Sequence, residues 1–159
     1  MLPQAEPLDK GCCPRLLVDA MLGSLAKRLR WLGYDAVYWR DGSDEALMAQ
    51  AQVEGRLIVT RDHALARRRA VAALLVESES LPAQLAEVRA ALPMPAQPFT
   101  RCGECNGLLE TLDRETARML VPPYVWQTQE AFWRCPDCGR VYWKGTHWPS
   151  LLAELEDVA

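Results

Sequence analysis

The sequence predicts an α/β fold, a parallel sheet flanked by helices, followed by a small C-terminal zinc ribbon. Three observations carry this. Four short apolar, β-rich runs alternate with helical patterns between residues 15 and 91. A proline-rich break follows at 92–99. Two Cys-x-x-Cys pairs, Cys102/Cys105 and Cys135/Cys138, then punctuate the remainder. Strands that alternate with helices build βαβ units, and right-handed crossovers make their sheet parallel. The expected boundaries are 14–92 for the α/β domain and 99–150 for the ribbon.

The first dozen residues are polar and proline-containing, and read as a lead-in. "RLLVD" (15–19) is the first strand. Leu22, Leu25, Ala26, Leu29 and Leu32 follow at three- and four-residue steps, one face of a helix, with Gly33 placed to end it. "DAVYWRD" (35–41) is the second strand, and a second helix runs from about Asp44 to Glu54, closed by Gly55. "RLIVTRD" (56–62) is the third strand, a short basic segment follows, and "VAALLVES" (71–78) is the fourth. A helix over roughly 82–91 completes the unit. The strands are nearly continuous in apolar residues, as burial on both faces requires. Prolines 93, 95 and 98 then rule out a regular element.

Composition sets bounds on function. Apolar residues make up 50% and charged residues 25%, the balance of a folded chain rather than a disordered one. The formal net charge of −3 gives no bulk attraction to nucleic acid. Lysine and arginine nevertheless gather locally, at Lys27, Arg28 and Arg30 and again at Arg67, Arg68 and Arg69, and local patches act where net charge does not. No run approaches the ~20 apolar residues of a membrane span. The N-terminus lacks a basic segment followed by an apolar one, so a cytoplasmic location is expected. Six cysteines in that setting read as thiols or metal ligands before disulfides.

Every expected strand delivers a carboxylate at its C-terminal end. These are Asp19; Asp41, with Asp44 and Glu45 just beyond; Asp62; and Glu77, with Glu79 beyond it. In an open parallel sheet those ends share one edge, where ligands bind. Converging carboxylates repel and would protonate, unless a hard divalent cation such as Mg²⁺ sits among them. Such a site activates water and stabilises a leaving phosphodiester oxygen. Lys27, Arg28 and Arg61, with Arg67 to Arg69, could hold a phosphate backbone. Plainer readings stand beside this one. Asp41 and Asp44, three apart at a helix start, suit a cap and a dipole partner. Glu77 and Glu79 suit a loop, "ARRRA" the wet face of a helix, and His63 an exposed helix start.

The cysteine pairs signal tetrahedral zinc, because one tight turn presents both thiolates of each pair to one ion. Four thiolates complete the coordination, so the zinc is expected to be structural. The 29 residues between Cys105 and Cys135 exceed the usual ribbon spacing; a helix at "LDRETARML" and a turn at "VPP" would fill them. Cys12 and Cys13 read as incidental. His147 is a further candidate ligand, or else packs or contacts a partner. Phe132, Trp133, Tyr142, Trp143 and Trp148 crowd the second pair. Phe132 and Tyr142 read as core, while Trp143 and Trp148 are open between core and base stacking.

The segments "LLVDAMLGSLAKRLRWLGYDAVYWRDGSDEAL", "EGRLIVTRDHAL", "RCGECNGLLE", "VPPYV" and "FWRCPDCGRVYWKGTHW" together resemble the Mut-seven-C RNase domain family, PIN-like domains fused to a zinc ribbon. The likeness covers about 15–150. It implies a PIN-like nuclease fold and Mg²⁺- or Mn²⁺-dependent RNA hydrolysis. It places the acids at Asp19, Asp44 and Asp62, with Asp41 close by, and the zinc ligands at Cys102, Cys105, Cys135 and Cys138. The fourth acid of typical PIN nucleases has no clear match here.

The expected function is therefore a metal-dependent ribonuclease, with RNA as partner and a ribbon that docks on the nuclease core or helps grip RNA. Rival readings are a non-catalytic RNA- or ribosome-binding module and a phosphatase of small phosphoesters. A toxin held by an antitoxin is a further reading of the PIN likeness.

Overall fold

Leu16, Leu17 and Val18 are completely buried, as a strand covered on both faces must be. In the computed structural model, which describes residues 13–145, they form β1 (Leu16–Val18). A 3-10 turn (Ala20–Leu22) leads into α1 (Gly23–Leu32), then β2 (Ala36–Tyr38), α2 (Asp44–Glu54), β3 (Leu57–Thr60), α3 (His63–Ala66), β4 (Ala73–Leu75) and α4 (Leu81–Ala91). The four strands pair in the order β2-β1-β3-β4, all parallel, with Leu17 opposite Val37 on one side and Ile58 on the other. The expected strands shrink to three or four residues each, because the charged residues at their ends leave the ladder.

Side chains alternate across the sheet and build two cores. Leu16, Val18 and Val59 face Leu25 and Leu29 of α1 and Leu85 and Val88 of α4. Leu17 and Ile58 face Leu47 and Ala51 of α2 and Leu65 of α3. Helix ends are set locally. Gly33, at φ 103°, ends α1 in the left-handed region that glycine adopts freely. The Ser43 hydroxyl accepts from the Ala46 N–H and caps α2, so neither Asp41 nor Asp44 is the cap. Asp44 and Glu45 occupy the first turn instead, where negative charge suits the helix dipole. Within "ARRRA", Ala66 closes α3, and Arg67, Arg68 and Arg69 lie past its end and are exposed.

The second unit is a three-stranded antiparallel sheet, β5 (Glu110–Leu112), β6 (Phe132–Arg134) and β7 (Val141–Tyr142). Two short helices fill the long gap between the cysteine pairs: α5 (Arg114–Arg118), as the sequence suggested, and α6 (Pro123–Thr128) where a turn was expected. Pro123 opens α6 rather than breaking it, since the first helical position needs no N–H. Ala117, Val121, Val125 and Phe132 form the small core.

The proline-rich segment is a strap rather than a free linker. The Tyr34 hydroxyl donates to the Pro93 carbonyl at 2.7 Å, and the Phe99 N–H donates to the Trp31 carbonyl at 2.7 Å. Gly33 is also where the strap comes closest: a Cβ there would lie 2.5 Å from the Gln97 carbonyl oxygen.

β2 is an edge strand, and the first cysteine turn covers it. The Ala36 N–H donates to Asn106 Oδ1 at 3.0 Å, and its carbonyl accepts from Arg30 Nε at 2.8 Å. Arg30, only 8% exposed, also donates through Nη1 to the Gly103 carbonyl. Asn106 Nδ2 donates to Asp35 Oδ1 at 2.7 Å, and Arg56 meets the same carboxylate at 2.8 Å. Burial would push the Asp35 carboxyl up. The Arg56 and Asn106 hydrogen bonds and the charges of Arg56 and Arg101 outweigh it and hold it below the usual range. Open edges invite strand addition, and here the backbone groups of Ala36 are already used.

Candidate active site and metal centre

The chain leaves β1 toward β2 on one side of the sheet, while β3 returns on the other. At such a reversal, here beyond the C-terminal ends of β1 and β3, open α/β sheets bind ligands. Asp19 stands at one lip, fixed by its own N–H donating to the Val59 carbonyl at 2.9 Å. Asp62 stands at the other. Thr60, completely buried at the end of β3, joins them: its hydroxyl donates to Asp19 Oδ2 at 2.7 Å and accepts from the Asp62 N–H at 3.0 Å.

Both acids also cap the elements that follow them. Asp19 Oδ1 accepts from the Ala20 N–H, and Asp62 Oδ1 accepts from the N–H groups of Ala64 and Leu65. Capping thus orients each carboxylate without consuming it. The cap on α3 uses Asp62 Oδ1 alone. Asp41 and Asp44 are exposed, on the loop after β2 and the first turn of α2. Three carboxylates do not crowd together here. Among the described residues, the group bringing three or more potential ligands within 4.8 Å of one another is the four cysteines. Mg²⁺ fits an open acidic rim of this kind, because it keeps several waters and takes only one or two carboxylates directly.

The expected phosphate-holding cations divide. Lys27 pairs with Glu104 at 2.8 Å, and Arg28 lies over the Trp31 ring, so both sit beside the first cysteine turn. Arg61 is half-buried at the tip of β3 with an unpartnered buried Nε. Glu77 and Glu79 are exposed past β4, where Glu87 binds the N–H groups of Glu77 and Ser78. His63 is exposed at the first position of α3. Sequence reasoning missed Thr60; its signal was a hydroxyl ending an apolar strand two residues before Asp62.

Cys102, Cys105, Cys135 and Cys138 are free thiols whose sulfurs converge. Cys102 and Cys138 lie 3.7 Å apart, and Cys105 and Cys135 lie 3.3 Å apart. A tetrahedral zinc with Zn–S near 2.3 Å sets sulfurs about 3.8 Å apart, so the donor set fits the ion. Burial alone would raise the Cys102 thiol. The Tyr142 hydroxyl, 2.9 Å away, and the N–H groups of Cys105 and Glu104 bring it down to about 7. Burial and the neighbouring thiols push Cys105 up to about 12. Zinc binding to such a set must release protons. Phe132 is core as expected and Trp143 packs against that core, whereas Tyr142, expected in the core, is half-buried outside it with its hydroxyl on Cys102. Cys13 is half-buried, with its thiol 3.6 Å from the Pro93 carbonyl. Cys12, His147 and Trp148 lie outside the described residues.

A parallel α/β domain is here joined to a four-cysteine cluster of the kind that holds zinc in a ribbon. The chain belongs to the Mut7-C RNAse domain family, whose model matches residues 14–155. No curated protein and no solved structure matches it. Among the described residues, no helix is long and apolar enough to cross a membrane.

Proposed function

We propose that this protein is a metal-dependent ribonuclease that hydrolyses RNA phosphodiester bonds at its carboxylate rim. The observation that carries the reading is the Thr60 bridge, which holds Asp19 and Asp62 across the switch point. Asp19 and Asp62 would hold Mg²⁺ or Mn²⁺ directly, with Asp44, and Asp41 near it, engaging from α2 directly or through water. The cation supplies water activation and stabilisation of the leaving oxygen. Thr60 and the Ala20 N–H each hold one Asp19 oxygen, and the caps on Asp19 and Asp62 prevent either carboxylate from rotating away. Arg61 is the nearest cation in sequence to the rim and is assigned to the scissile phosphate. Residues 14–92 form the nuclease domain and 99–150 the ribbon, with zinc structural.

The test is cleavage of labelled single-stranded RNA by the Mg²⁺-supplemented protein, beside Asp19→Asn and Asp62→Asn. Loss of an orienting partner of a metal ligand typically costs about 10–100-fold, so Thr60→Val is expected in that range and the two Asp variants beyond it. Cleavage that persists unchanged in both Asp variants belongs to a contaminant and ends the reading.

A further inference from the structure

Cations paired with aromatic rings recur at three places: beside the acidic rim, near the end of α1, and on the ribbon. At the rim, the Tyr38 hydroxyl donates to the Ala20 carbonyl at 2.6 Å, next to Asp19, and the Arg40 guanidinium lies 5.9 Å from the Tyr38 ring. Helix α1 starts beside Tyr38, since a Cβ on Gly23 would sit 3.2 Å from its hydroxyl, and runs away from the rim. From Gly23 to Trp31 the helix descends about 12 Å at 1.5 Å per residue. The Trp31 ring there carries Arg28 at 5.1 Å and Lys27 at 5.3 Å, and its edge abuts Gly103 of the first cysteine turn.

The ribbon carries the third group. Phe132 points into the ribbon core, so Trp133 points to the opposite face of its strand, and Tyr142 stands directly opposite it. The Tyr142 hydroxyl meets Cys102, which ties this outer face to the turn beside Trp31. Lys144 lies 5.9 Å from the Trp133 ring, and both Lys144 and Arg140 are exposed. Rings alternating with cations suit a single strand with unpaired bases. Bases stack on the rings, cations track the phosphates, and a duplex offers no free base faces.

We propose that the outer face of the ribbon, Trp133 with Arg140 and Lys144, binds the single-stranded tract of an RNA whose scissile bond lies at the carboxylate rim. This rests on the ribonuclease reading for its substrate, but its test does not need turnover. The zinc-loaded Asp19→Asn protein is titrated with a labelled trinucleotide and a dodecanucleotide of uridine, and affinity is read by fluorescence anisotropy. Trp133→Ala is expected to weaken the longer RNA roughly five- to hundredfold, and Trp133→Tyr to restore most of it. Arg140→Gln and Lys144→Gln should each flatten the salt dependence of the longer RNA by about 0.7 in logarithmic slope. The trinucleotide, which can also sit on either unit alone, sets the scale for binding that does not span them. No loss with the longer RNA, or equal binding of a duplex, overturns the proposal. Retained RNA binding by a wild-type protein that never cleaves would instead refute the ribonuclease reading and leave this face standing.

Discussion

The parallel sheet buries Leu16, Leu17, Val18, Ile58 and Val59 completely and packs helices on both faces, whereas the ribbon's apolar core rests on Ala117, Val121, Val125 and Phe132. The first unit has enough buried hydrocarbon to hold its own shape. The second has three strands of two or three residues and a core of four side chains, too little to fold on apolar burial alone. Four sulfurs within 4.8 Å of one another supply what is missing. Cohesion is spread over many contacts in one unit and concentrated on four converging sulfurs in the other.

The sharpest way to break that contrast is to remove the ion. Cys135→Ser, or chelation, is expected to unfold the ribbon, since structural zinc contributes on the order of 10 kcal/mol in comparable small modules. Fluorescence of Trp133 and Trp143 and the zinc content of purified protein would report it. A ribbon that keeps its tryptophan signal without metal would erase the distinction.

Leu17→Ala attacks the other unit. Emptying a buried leucine site costs about 2–5 kcal/mol, so thermal stability should fall while bound zinc stays constant. Loss of zinc in this variant would show that the two units fold as one.

Asn106→Gly probes the seam. Asn106 sits at φ 70°, so glycine keeps the backbone and deletes only the side chain. Leaving the Ala36 N–H without its partner should cost about 1–3 kcal/mol, and amide exchange at Ala36 should accelerate.

The smallest effect is electrostatic. The Asp35 carboxyl titrates lower when folded than when unfolded. Its contribution is complete above the unfolded value of about 4 and is lost as pH falls through the folded value. Asp35→Asn should therefore lower stability at neutral pH and narrow its gap to wild type in acid, as read by urea unfolding at both pH values.

Much of the sheet was legible because its signals are local. Apolar runs, the helical spacing of Leu22 to Leu32, and Gly33 and Gly55 each describe their own neighbourhood. The cysteine pairs were legible for the same reason: each is one turn. The contacts that join the units were not. Asn106, Arg30 and Asp35 look like ordinary polar residues in sequence, and only the fold brings a residue from the first cysteine turn against the edge of β2. The site divides the same way. Asp19 and Asp62 announce themselves at strand ends, while Thr60 matters only because β1 and β3 are neighbours. The proline run announced a break, but not that it would be pinned.

The strap is anchored twice, at Tyr34 and Trp31, and both anchors belong to the same end of α1. Its two ends are therefore registered by the helix rather than by the peptide between them. A protease cut among Met94 to Pro98 would leave two pieces still mated through Arg30 and Asn106, and the molecule offers itself there as a split protein reassembled from separately made halves.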